Sequence, residues 1–137
     1  MTHPTLAAEL EKVRLPFNVN AFSQAAAVVL LAHREWIDAN VREVVYERER
    51  VAGRLAALAG VETFRSEANF ILIRTRLPGD DVFEALLAEG ILVRNLGPIS
   101  GLENCLRVTV GTAEENDRFL DGLTKLVGER GMQTGVE

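Results

Sequence analysis

The stretch AFSQAAAVVLLAH, residues 21–33, narrows the folds open to this chain more than any other. Wound as a helix, Phe22, Ala25, Ala26, Ala27, Val28, Val29, Leu30, Leu31 and Ala32 leave almost no polar side, and a helix that is apolar all round has to be covered all round. A bilayer cannot be the cover, because a membrane-spanning helix needs about 20 such residues. With 137 residues the chain is the size of one domain with one ordinary core, and it has little material to spare for wrapping. The segment is therefore expected to pack against protein that is not in this chain.

The rest of the chain reads as alternating helices and short strands. Leu6, Leu10 and Val13 fall at helical spacing before a loop marked by Pro16, Asn18 and Asn20. From Arg34 to Ala59, Ile37, Val41, Val44, Val51, Leu55 and Leu58 recur every three or four residues, which predicts a long helix stopped by Gly60. On its other side Asp38 with Arg42 and Glu47 with Arg50 read as weak surface pairs, so that the run ERER is a solvated face. Arg48 alone falls in the apolar rhythm, as a snorkelling edge position.

Val61–Arg65 and Asn69–Arg74 then suggest two antiparallel strands, with Asn69 at a turn or bulge. Pro78 and Gly79 precede a helix carrying Val82, Phe83, Leu86 and Leu87, for which Asp80 or Asp81 is the expected cap. Ile91–Arg94 reads as a strand, residues 95–104 as a turn-rich loop, and CLRVTVGT, residues 105–112, as a further strand. Thr112 and Glu115 have the spacing of a capping box. The stripe Phe119, Leu120, Leu123, Leu126 and Val127 predicts the last helix, and 129–137 a frayed tail. The order implies an α/β chain of the two-layer α+β kind: a small, mostly antiparallel sheet of about four strands covered by helices, in one domain spanning 1–137.

Composition excludes several functions. The net charge of −5 and the lack of a basic cluster argue against nucleic acid as a partner, and no segment is a membrane span. Cys105 is the only cysteine, so no intrachain disulfide can form. With no leader-like opening, the expected compartment is the cytoplasm. Cys105 reads as a small buried hydrophobe rather than a nucleophile. His3 and His33 lack partners at ligand spacing and read as surface or helix-end positions, not a metal site. Gly97 and Gly101 precede a strand and so do not form a phosphate cradle.

The chemistry-bearing feature is the arginine inside CLRVTVGT. Period-two geometry turns Leu106, Val108 and Val110 to one face, and Cys105, Arg107 and Thr109 to the other. A guanidinium stays charged, so Arg107 needs a carboxylate of its own chain or an anion from outside. Arg94 ends the neighbouring strand. The two arginines are either a clamp for one anion or two structural salt bridges with the abundant Glu and Asp.

The segments RLPFNVNAFSQAAA (14–27), ERERVAGRLAAL (47–58), SEANFILIR (66–74), GILVRN (90–95) and NCLRVTVGTAEENDRFL (104–120) together strongly resemble the C-terminal part of the class I/II aminotransferases. These are fold-type I enzymes dependent on pyridoxal phosphate, and the match is to their histidinol-phosphate branch. The resemblance implies the small domain of that fold, with Arg107 holding the substrate's anionic end and Arg94 helping to hold a substrate phosphate. It implies histidinol phosphate and glutamate as the parent enzyme's substrates, and a homodimer in which residues 1–33 pack on the large domain.

It also implies a lysine that forms an imine with the cofactor. Only Lys12 and Lys125 are present, and neither lies in the family's lysine motif, which is absent. The chain is thus expected to begin after the catalytic core, to bind no pyridoxal phosphate and to be inactive alone. The alternatives are a free-standing non-catalytic anion-binding or protein-interaction module and, within the family, the domain of another class I/II aminotransferase.

Overall fold

The computed structural model of the chain describes residues 3–13 and 19–131, with side chains as far as 128. It divides into two compact units, Met1–Asp38 and Ala39–Glu137.

The first unit contains α1 (Pro4–Val13), α2 (Ala21–Ala32) and the start of α3 (Arg34–Ala56). The Asn20 side chain accepts a hydrogen bond from the Ser23 amide at 2.9 Å and opens α2. At its end the His33 amide donates to the carbonyls of Val29 and Leu30. No residue of α1 or α2 is buried. Phe22 is 83% exposed, Leu31 71% and Val28 69%, so the all-apolar helix of the sequence carries its apolar surface uncovered. His3 precedes α1, and the His33 ring stacks on Trp36 with centroids 4.3 Å apart. The loop expected over residues 14–20 lies mostly outside the described residues.

The second unit contains the core. After α3 come β1 (Val61–Thr63), β2 (Phe70–Thr75), α4 (Gly79–Ala88), β3 (Arg94–Asn95), β4 (Cys105–Thr109) and α5 (Ala113–Gly131). The strands form one antiparallel sheet in the order β1-β2-β4-β3, as the alternating pattern predicts. One face of the sheet supplies Ile71, Ile73, Leu106 and Val108. Against it pack Val51 and Leu55 of α3, Val82 and Leu86 of α4, and Phe119, Leu120 and Leu123 of α5, all buried. Each such side chain contributes about 1.5–3 kcal/mol of burial free energy. The opposite face carries Phe70, Leu72, Arg74, Arg107 and Thr109, half-buried or exposed.

Several expectations need correction. The apolar stripe of α3 is buried only in its C-terminal half, and Val41 is 54% exposed. Glu47 and Arg48 are buried rather than solvated. Arg48 donates to the Ala68 carbonyl and to Glu49, which anchors the β1–β2 loop instead of leaving the side chain at an edge. Glu47 is held by two hydrogen bonds from Arg50, at 2.9 and 2.8 Å, and by one from Asn116 at 2.7 Å.

At the start of α4 neither aspartate caps. Pro78 is the N-cap residue, and the Gly79 amide donates instead to the Asn104 side chain at 3.1 Å. The strand expected over Ile91–Arg94 pairs only at Arg94 and Asn95, and β4 stops at Thr109. Cys105 is fully buried although alternation puts it on the open face, where it pairs across the ladder with Arg74. The tail expected from 129 remains helical to Gly131, and 132–137 lie outside the described residues.

Candidate functional site

β2 and β4 pair with Leu72 opposite Arg107 and Phe70 opposite Thr109. On the other side of β4, Arg94 is the direct cross-strand partner of Arg107. The fold therefore brings together the two arginines separated by a 12-residue stretch of turn and strand, and sets two like charges at adjacent positions, an arrangement that costs stability. Among the described residues no carboxylate pairs with either guanidinium. Buried Arg107 Nε has no hydrogen-bond partner. The salt-bridge alternative for this pair thus finds no acid to support it.

The Arg107 guanidinium lies over the Phe70 ring, 5.2 Å from the centroid, a favourable cation–π placement. Arg94, Asn95, Arg107 and Thr109 line an open cleft of about 480 Å³ together with Phe83, Leu92 and Val93. The lining has two cations, two neutral polar groups and no acid, so it suits an anion attached to a partly apolar body.

Other arginines of this unit behave differently. Arg74, on the same sheet face, lies over Phe64 at 5.2 Å but also pairs with Glu62 at 2.9 Å. Arg50 pairs with Glu47 and Asp117, and Arg65 with Glu67.

The far end of β4 is fixed by a second polar cluster. The Asn116 carboxamide accepts from the Gly111 amide at 2.9 Å, donates to the Gly111 carbonyl at 3.0 Å, and donates to Glu47. Next to it the capping box forms as expected: Thr112 Oγ1 accepts from the Glu115 amide, and Glu115 Oε2 accepts from the Thr112 amide at 2.8 Å. A Cβ at Gly111 would sit 2.6 Å from that carboxylate oxygen, which accounts for glycine there. Hydrogen bonds from Arg50 and then Asn116 hold the Glu47 carboxyl below its ordinary value of 4.5. Bonds from the Thr112 amide and hydroxyl lower Glu115 likewise.

Phe70, Glu47 and Asn116 were not among the residues that sequence reasoning assigned to a site or its support. A signal existed for Glu47, since it stands four and eight residues before buried Val51 and Leu55 and so shares their helical phase. Of the two lysines, Lys12 Nζ lies 2.6 Å from Glu9 and Lys125 Nζ 3.2 Å from Glu89, both exposed, and Lys125 does not line the cleft. No cluster of His, Cys, Asp and Glu fit to hold a metal occurs among the described residues, and no described helix is long and apolar enough to cross a membrane.

Known proteins share this arrangement of elements. Histidinol-phosphate aminotransferase of Aquifex aeolicus is 46% identical over 123 residues, which are 89% of this chain and 35% of that protein. The chain spans about a third of the length of the curated relatives it matches. The crystal structure of the histidinol-phosphate aminotransferase from Clostridium acetobutylicum superposes with a TM-score of 0.78 at 26% identity, covering 91% of this chain and 38% of that one. A decarboxylase from Sulfurospirillum multivorans superposes at 0.74 and 26% identity, over 90% and 36%. The model of aminotransferase class I and II matches residues 1–123, and the chain belongs to that family.

Proposed function

We propose that this chain is the anion-binding C-terminal small domain of a histidinol-phosphate aminotransferase, and that Arg107, with Arg94 beside it, holds the anionic end of the substrate. The observation that carries the reading is the direct pairing of Arg94 with Arg107 on adjacent strands with no carboxylate between them. Histidinol phosphate ends in a phosphate and glutamate in carboxylates. A planar guanidinium fork accepts either, through two parallel N–H···O bonds. Similarity to relatives bearing that name supports this substrate pair. The parent reaction would pass the amino group of histidinol phosphate to 2-oxoglutarate, yielding imidazole acetol phosphate and glutamate, in a cytoplasmic homodimer.

Pyridoxal phosphate, where this family carries it, acts as an electron sink attached through a lysine imine. The residues of this chain do not fit that attachment: both lysines are exposed and ion-paired, and Lys125 does not line the cleft. In this reading the chain contributes substrate binding, takes up no cofactor and has no transaminase activity by itself.

Two measurements test the reading. Titration with histidinol phosphate or inorganic phosphate is expected to saturate, and Arg107→Ala to weaken binding at least tenfold, about 1.4 kcal/mol. Borohydride reduction after incubation with pyridoxal phosphate is expected to leave no specific lysine adduct; one adduct per chain confined to Lys12 or Lys125 would overturn the inactive assignment. The uncovered apolar surface of α2 favours a second reading, a free-standing interaction module. A stable oligomer with no anion binding would select it.

A further inference from the structure

An arginine meant to receive an anion has two opposing needs. Its guanidinium must be held in one orientation, or the entropy of ordering it is charged against binding. It must also keep its positive charge and free N–H groups, which an internal carboxylate would consume. Arg107 meets both conditions through one neighbour. Phe70 lies one pair further along the β2–β4 ladder on the same sheet face, opposite Thr109, and its ring is a floor beneath the guanidinium at 5.2 Å.

Among the described residues the buried Nε has no hydrogen-bond partner, so no bond at that atom does the holding. The sheet supplies its own control in Arg74, which has the same 5.2 Å aromatic stack, on Phe64, plus a carboxylate partner in Glu62 at 2.9 Å. Among the described residues, stacking without a carboxylate partner is found at Arg107, which lines the cleft.

We infer that Phe70 is a positioning residue for the anion site: it fixes the plane of the Arg107 guanidinium while leaving its charge and outer N–H groups to the ligand. The Phe70 backbone is itself held at both ends of its turn, since its carbonyl accepts from Ser66 Oγ, which also accepts from the Ala68 amide at 3.1 Å. This inference rests on the anion-binding role proposed for Arg107.

The test uses the full chain, inorganic phosphate as the probe, and NMR of the Arg107 Nε–H. Phe70→Leu removes the ring, Phe70→Met removes it with a more adaptable side chain should the leucine variant misfold, and Phe70→Tyr keeps it. In the leucine or methionine variant phosphate affinity is expected to fall about tenfold and Nε–H exchange to speed by at least about fivefold, with both restored to within about twofold in the tyrosine variant. Unchanged exchange and affinity in the ringless variants would overturn the inference. If the parent chain shows no Arg107-dependent phosphate binding, the proposed function fails. The exchange rates still decide whether Phe70 orients the guanidinium.

Discussion

Two clusters of charge are set along strand β4, one just past its C-terminal end and one at its middle, and they are built on opposite rules. At one end Glu47, Arg50 and Asn116 form a closed set, in which the buried carboxylate accepts from both partners and every strong group is answered within the chain. At the middle Arg94 and Arg107 stand side by side with no acid partner among the described residues, and the Nε of Arg107 is left without a partner there. The first arrangement returns its desolvation cost in hydrogen bonds and adds stability. The second costs stability through like-charge repulsion. Polar groups that satisfy one another hold the fold, and those left unsatisfied mark where something else belongs.

The contrast can be broken from its closed side first. Glu47→Ala takes one of its three hydrogen bonds from the Asn116 carboxamide, removes the principal ion pair of Arg50, and is expected to cost about 3 kcal/mol of unfolding free energy. Arg107→Ala, losing only its stack, should cost less than about 1 kcal/mol. Urea melts at neutral pH compare the two, and equal losses would erase the distinction.

A smaller effect is expected in acid. Because the folded state lowers the Glu47 carboxyl below 4.5, chiefly through Arg50, the unfolded chain binds more protons and stability rises with pH there. Its contribution is complete above the ordinary carboxylate value and is lost as pH falls through the folded one. Melts between about pH 3 and 6 should show a shallower slope in Glu47→Gln than in the parent, with the lowered Glu103 and Glu115 leaving a residual slope in both. Smallest of all, Arg94→Leu should raise stability by about 0.5 kcal/mol at low salt by removing a like-charge neighbour, a gain that shrinks as added phosphate or salt screens the parent's repulsion.

Much of this architecture was legible in advance, and the limits have physical causes. Strand alternation separated Leu106 and Val108 from Arg107, and the T-x-x-E spacing located the start of α5, because both signals are local. The register that makes Arg94 and Arg107 neighbours depends on the turns between residues 95 and 105, where Asn104 adopts a φ of +57° and supplies the cap for α4. Adjacent Asp80 and Asp81 looked like that cap, since sequence distance hides an acceptor 25 residues away. Glu47 was misread because a charged run on a helix is usually solvated. Its phase with Val51 and Leu55 pointed inward, and the partner that makes burial tolerable, Asn116, lies 69 residues on. Phe70 could not be distinguished from an ordinary strand aromatic until the ladder placed it beneath Arg107.

The carboxamide of Asn116 carries one further consequence, for how the sheet avoids growing. Beyond its two-residue pairing with β3, strand β4 has a rim with no ladder partner, facing a cleft that residues 90–93 also line, and unpaired rims recruit strands from other molecules. By accepting from the Gly111 amide and donating to the Gly111 carbonyl, a single side chain imitates one residue of an absent strand. With Arg107 already paired to Arg94, only Thr109 is left between two occupied positions, a gap too short to seed a foreign strand. One amide thus acts as a stopper against edge-to-edge aggregation.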